Sequence, residues 1–294
     1  MNAIAVLTVT PSDGLLEFYS GFVTLGYRVF VFIDDNKFKF NNSAVWAENA
    51  GVSLIQIEDD ECRRAGFVDL TIRVNPNVQE RGGQSLASMR QAGRGRCTAW
   101  EKALYYFCRR DLSPDYVWFI EDDCFVPNHE IISSIDRKYG EVDIISAENE
   151  VNRHGVIDDP GNWPFWRLVP KAILRPPWAH SMVCTVRLSR RMLTDFDSLI
   201  RSTKTKLRFT NAAIAMGKLA GLCRQRALWR KKYFVEYIFH TLALRNRLRA
   251  IKARELSGVV FHKKWHVSEM NPSTIYHPLK DRDLHGRYRK IVNR

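Results

Sequence analysis

Several familiar features are missing from this 294-residue sequence. No apolar run approaches the ~20 residues a membrane-spanning helix needs; the longest, such as 116–120, have strand length. The N-terminus shows no basic segment leading into an apolar one, because residues 3–9 already read as a strand, so no secretory leader and a cytoplasmic location are expected. The six cysteines, Cys62, Cys97, Cys108, Cys124, Cys184 and Cys223, form no C-x-x-C pair and no cluster. They read as reduced, buried thiols rather than a disulfide framework. There is no G-x-S-x-G, which excludes a serine nucleophile elbow, and no G-x-G-x-x-G after the first strand, which excludes a dinucleotide fold. Internal repeats and low-complexity tracts are also missing.

What is present is the material of a core. Hydrophobic residues make up 45% of the chain and aromatics 12%, which excludes disorder for the bulk of it. The length suits one large α/β domain. The net charge of +13 is concentrated: residues 201–254 hold 15 Lys/Arg and a single acid, Glu236, so the remainder sums to about −1. Such a segment reads as a collar around an anionic substrate, or as a peripheral contact with anionic membrane. No nucleic-acid-binding motif accompanies it, so no specific nucleic acid is expected.

The first half alternates. Strands are predicted at 3–10, 28–33, 52–57, 116–120 and 142–146, from β-branched and aromatic runs closed by Pro, Gly or acids. Between them helical spacing recurs, with N-cap oxygens at Ser12, Asp13 and Ser43 and a capping box formed by Thr98 and Glu101. This βαβ rhythm predicts a largely parallel sheet. In such sheets ligands sit past the carboxyl ends of the strands, and those ends carry Asp34-Asp35, residues 58–61 and Glu121-Asp122-Asp123. From about residue 150 the rhythm is lost. Residues 161–178 are rich in Trp and Pro and read as an ordered loop or lid, 182–186 as a strand, 211–256 as helical, and 258–261 as a last strand.

Three adjacent acids at the end of an apolar strand repel one another unless a cation neutralises them. Carboxylate oxygens there suit Mn²⁺ or Mg²⁺, which in turn bridges phosphate. The pattern 116–127, an apolar strand running into Glu-Asp-Asp and then Cys-Phe-Val-Pro, resembles the DxD motif of nucleotide-sugar glycosyltransferases with the GT-A fold. It differs in having Glu for the first Asp.

That resemblance implies a GT-A-like, Rossmann-like central sheet flanked by helices, with a helical basic C-terminal acceptor region. Residues 1–150 would bind the nucleotide-sugar, and 151–294 would form the acceptor-binding and catalytic half of the same domain. It implies that Glu121 and Asp123 hold Mn²⁺ (or Mg²⁺), with His277 returning as a third ligand and Lys280 on the diphosphate. Thr10, Asp34, Asp35 and Asp122 would contact the donor, a UDP-sugar by preference. Arg94 and Arg96, in a Gly-rich stretch before the capped helix, suit a diphosphate. His262 and His266 compete with His277.

Glu236 sits among aromatics in 233–242. Desolvation raises its pKa and neighbouring cations lower it, a balance suited to a general base taking a proton from a sugar hydroxyl. The resemblance places such an acid at a helix start in inverting enzymes; Glu148 and Glu150 are alternatives. Trp163, Trp166 and Trp178 are candidates for stacking on an acceptor sugar. The expected activity is transfer of a sugar from a nucleotide-diphosphate donor to a hydroxyl of a glycan, glycoprotein or glycolipid. The alternatives are a sugar-phosphate nucleotidyltransferase, and a non-enzymatic basic protein binding nucleic acid or membrane.

Overall fold

The computed structural model describes residues 1–39, 45–71, 97–157, 163, 165, 166, 169, 174–203, 233–261 and 263–294, with the backbone alone at 42–44. Arg94, Arg96, His262 and most of the basic segment, 204–232, lie outside the described residues.

The predicted strands assemble. Strands β1 (Asn2–Thr8), β2 (Arg28–Ile33), β3 (Val52–Gln56) and β4 (Tyr116–Glu121) pair in parallel in the order β3-β2-β1-β4. Intervening helices are α1 (Asp13–Ser20), α2 (Asn42–Asn49), α3 (Asp59–Ala65) and α4 (Ala99–Arg109), followed by α5 (Glu130–Tyr139). Both faces of this sheet are covered. Ala3, Ala5 and Leu7 pack with Phe30, Phe119 and the α4 residues Trp100, Leu104 and Phe107. Ile4 and Val6 face the other way, onto Val31, Ile120, Leu16 of α1 and Ile131 of α5. Continuous apolarity in the strands is the signature of this two-sided burial.

The second half completes the same sheet instead of forming a separate one. Strand β5 (Ile144–Ser146) is followed by a small antiparallel pair, β6 (Glu150–Asn152) with β7 (Trp178–His180). Strand β8 (Thr185–Ser189) then inserts antiparallel between β4 and β5, and β9 (Ala250–Lys252) pairs in parallel with β5, giving the order β3-β2-β1-β4-β8-β5-β9. Residues 190–203 are helical. The reading of 211–256 as one helical stretch needs correction within its described part. Helix α6 here is residues 190–203, and α7 covers Val235–Asn246 only; Arg247 then turns left-handed (φ 55°) and the chain re-enters the sheet as β9. The polar tail forms α8 (Leu284–Val292) after the paired two-residue strands β10 (Gly258–Val259) and β11 (Tyr276–His277). Among the described residues no helix is long and apolar enough to cross a membrane.

A buried ion pair locks β8 to the parallel half. Arg187 of β8 is 1% exposed; its Nη1 donates to Asp136 Oδ1 of α5 at 2.6 Å and its Nη2 to Val142 O at 3.2 Å. Asp136 also accepts from Tyr27 Oη at 2.6 Å, Asn2 Nδ2 at 3.0 Å and Trp118 Nε1 at 3.1 Å. Removing the cation strands a carboxylate among apolar strands. Arg187→Leu is expected to lower unfolding free energy by ~3–5 kcal/mol, measured by urea titration with an unchanged m-value.

Candidate active site

The site grows from the register of β1, β2 and β4. The pairing continues beyond the strands: Asp34 N donates to Thr8 O at 2.8 Å, Asp35 N to Val9 O at 3.2 Å and Asp122 N to Leu7 O at 2.9 Å. Thr10, Asp34, Asp35 and the Glu121–Asp123 acids therefore stand side by side on one edge of the sheet. Two buried groups on α4 hold this edge. Lys102, with no exposed surface, donates its Nζ to the carbonyls of Ile33 (3.2 Å) and Asp34 (2.7 Å). Glu101, equally buried, closes the capping box with Thr98 and also accepts from Leu70 N (2.7 Å) and Thr71 N (3.0 Å). Asp35 has a local task as well, accepting from Lys37 N at 2.8 Å in a turn.

The three acids of Glu121-Asp122-Asp123 are treated differently. Glu121 Oε1 accepts from Trp100 Nε1 at 2.6 Å, and the Trp100 ring is stacked on Phe119, its centroid 5.3 Å away. Burial and the charge of Asp123 push the Glu121 carboxyl above the usual range, offset partly by His277 and by this hydrogen bond. Asp123 is raised too, by burial first, with His277 and Lys280 opposing. Asp122 is neutralised outright: Arg282 Nη1 donates to its Oδ2 at 2.5 Å, and the Thr8 hydroxyl donates to the same oxygen. Asp122, expected at the donor, thus has its Oδ2 engaged by Arg282 and Thr8.

The C-terminal segment is strapped onto this loop. Phe125 and Tyr276 exchange backbone hydrogen bonds (2.8 and 3.1 Å), Leu279 N donates to Asp123 O (2.8 Å), and Arg282 closes the strap. It delivers His277, whose Nδ1 lies 3.1 Å from Val260 O and whose Nε2 lies 3.5 Å from Asp123 Oδ1. That carboxylate oxygen is buried and accepts no hydrogen bond among the described residues. Two carboxylates and an imidazole converging in a buried place suit a divalent cation, and an outer carbonyl orienting the imidazole is the usual companion of such ligands. Glu121, Asp123 and His277 are thus brought together, and Lys280 is exposed beside Asp123. His266 is instead engaged in a capping turn with Glu269.

Glu236 enters from the far side, in the first turn of α7. Leu70 O accepts from Val235 N at 2.9 Å and Glu236 O from Ser181 N at 2.9 Å, which fixes the helix start. The Glu236 side chain is half-buried and, among the described residues, makes no hydrogen bond or ion pair. Burial, with the charges of Glu121 and Glu148, pushes its pKa up to about 8. His240, four residues on, bonds Ser146 Oγ at 2.8 Å and does not pair with it. Of the alternatives, Glu148 is exposed and Glu150 is bound to His180 Nε2 at 2.8 Å.

The tryptophans divide. Trp166 and Trp178 are fully buried in the core, 6.0 Å apart between centroids, and offer no face to a sugar; their assignment to acceptor binding is corrected. Trp163 is half-buried and stacks on His180 at 4.3 Å and on Phe234 at 5.9 Å, extending the same aromatic block. Four site residues escaped the sequence reading: Trp100, Lys102, Cys184 and Arg282. The sulfur of Cys184, the residue before β8, lies with ligand atoms of Glu121 and His277 in a cluster whose members are all within 4.8 Å of one another.

No protein-family model matches the chain, and no curated protein matches it. Solved structures with a similar chain course include glucosyl-3-phosphoglycerate synthase from Mycobacterium tuberculosis in complex with Mn²⁺, UDP-glucose and phosphoglyceric acid. It is 16% identical, with 66% of this chain and 58% of that chain covered and a TM-score of 0.30. The galactosyltransferase LgtC in complex with donor and acceptor sugar analogs is 8% identical, with 83% and 69% covered and a TM-score of 0.34. An active-site mutant of LgtC gives the same values. The chain spans less than two thirds of the length of the first of these.

Two outcomes are expected from this geometry. A carboxyl raised from 4.5 to about 8 by folding binds its proton more tightly in the folded state, so stability falls as pH rises from 4.5 to 8. In chelator-treated protein, Glu236→Gln should match wild type in melting temperature at pH 4 and exceed it increasingly up to about pH 8. Arg282→Ala should speed amide exchange at residues 276–279 by releasing the strap from Asp122, and Arg282→Lys should recover part of the protection.

Proposed function

We propose that the chain is a metal-dependent glycosyltransferase that moves a sugar from a nucleotide-diphosphate donor, a UDP-sugar by preference, to a hydroxyl of a glycan or glycoconjugate, with inversion. The observation that carries this reading is the gathering of Glu121, Asp123 and His277 at the end of β4, with the Glu236 carboxyl, which has no hydrogen bond or ion pair among the described residues, in electrostatic reach of Glu121. It supplies a cation site for a diphosphate and a proton acceptor whose charge interacts with that site.

The nucleoside would lie along the ends of β1 and β2, against Thr10, Asp34 and Asp35, with the diphosphate over Asp123 and Lys280. Glu121, Asp123 and His277 would hold a divalent cation, which would supply positive charge to the departing diphosphate. The acceptor oxygen attacks the anomeric carbon as the bond to the diphosphate oxygen breaks, and the hydroxyl proton passes to a Glu236 oxygen. Glu236 has no basic partner among the described residues to hold it permanently ionised, so it can take up that proton and release it to solvent afterwards. The Trp100 N–H keeps Glu121 oriented, and the stack on Phe119 keeps Trp100 in place.

The test is turnover of UDP- and GDP-sugars with Mn²⁺, read as release of nucleoside diphosphate. Wild type should release it from at least one donor, and chelation should stop the release. Glu236→Gln should lower kcat by ~10²–10⁴-fold with donor KM little changed, since Glu236 is not among the residues proposed to hold the donor. Full activity in Glu236→Gln contradicts its role as base, and no turnover of any donor contradicts the reaction.

A further inference from the structure

Cys184 packs in the core and its thiol hydrogen-bonds the Glu121 carboxylate, yet the transfer reaction makes no use of it. It sits where β8 begins, directly beside the end of β4. Its carbonyl accepts from Glu121 N at 2.8 Å and from the Cys124 thiol at 3.1 Å. Those contacts fix its backbone against the Glu121 loop and turn its own sulfur inward. The sulfur, a Glu121 carboxylate oxygen and an His277 nitrogen form the one such metal-competent cluster among the described residues, all within 4.8 Å of one another. A tetrahedral ion with bonds of ~2.0–2.3 Å places its ligand atoms ~3.3–3.8 Å apart, a contraction that side-chain torsions supply.

A second observation points to a ligand here. The His277 side chain is nine-tenths buried, its Nδ1 is committed to Val260 O, and its Nε2 has only the 3.5 Å contact with Asp123 Oδ1. The buried Asp123 Oδ1 beside it accepts no hydrogen bond among the described residues.

We propose that Glu121, Cys184 and His277 form a binding site for a thiophilic divalent cation of the zinc class, overlapping the site of the hard ion. Carboxylate and imidazole serve both ion classes, whereas thiolate selects Zn²⁺, Co²⁺ or Cd²⁺ over Mg²⁺ and Mn²⁺. A hard ion takes Glu121, Asp123 and His277; a soft ion takes Glu121, Cys184 and His277, the thiol proton passing to solvent. Two ligands are common to both sets, so the ions exclude one another. The consequence is inhibition by zinc-class ions that more Mn²⁺ relieves.

The test is titration of the metal-free chain with Co²⁺, followed by the thiolate-to-cobalt charge-transfer absorption in the near ultraviolet. Wild type should develop the band stoichiometrically, and added Mn²⁺ should bleach it. Asp123→Ala should keep the band, because Asp123 lies outside the soft set, whereas Cys184→Ser, which retains the other five cysteines, should lose it. His277→Ala should weaken Co²⁺ binding by more than the roughly 10–100-fold that an outer-shell loss costs, which serves as the second probe should Cys184→Ser not fold. No band in wild type, or an equal band in Cys184→Ser, overturns the assignment. The assay contains no nucleotide, so it stands or falls independently of the transfer reaction.

Discussion

The structure is organised around the cost of gathering carboxylates in a place with little water. Glu121, Asp123 and Glu236 meet where β4 ends, and each is held by burial above the ordinary carboxylate range. Three such groups cannot ionise together without a compensating positive charge. The middle acid is removed from the problem by Arg282, which ties Asp122 to the C-terminal strap. What remains is a pair of carboxylates and an imidazole, for which a divalent cation is the natural complement. The third carboxyl, Glu236, is left with an intermediate proton affinity. Its suitability as a base follows from the same crowding.

The scaffold reaches this arrangement by weaving both halves of the chain into one sheet. The parallel strands β1, β2 and β4 present donor-side residues on one edge. Antiparallel insertion of β8 lays Cys184 beside Glu121 and, through Arg187 and Asp136, fixes the second half to the first. Helix α7 is seated by Leu70 on one side and by Ser181 on the other, which brings in Glu236. The strap returns last, with His277. The groups of the site therefore come from separate parts of the chain: the end of β4, the start of α7 and the C-terminal strap.

Much of this was legible in the chain, and the limits have physical reasons. The strands of the parallel half announce themselves because burial on both faces demands uninterrupted apolar runs. Glu121-Asp122-Asp123 stands out because acids seldom follow such a run without compensation. Glu236 was visible as the single acid in a basic segment. By contrast Trp100, Cys184 and Arg282 owe their roles to neighbours 21, 63 and 160 residues away in sequence. Nothing in their local spacing marks that. Strand β9 was hidden because three residues bounded by arginines carry no strand signature of their own; pairing with β5 makes them a strand. Trp166 and Trp178 looked available for a sugar because their segment is rich in proline, yet an aromatic block under β7 needs their bulk.

The central claim is that the acids at the end of β4, with His277, hold a cation that holds a nucleoside diphosphate. Calorimetric binding of UDP and GDP, each with and without Mn²⁺, to wild type and Asp123→Ala tests it most directly. The account predicts Mn²⁺-dependent binding of UDP to wild type and its loss in Asp123→Ala at the same Mn²⁺ concentration. Binding that ignores both Mn²⁺ and Asp123, or no binding of either nucleotide, would contradict it.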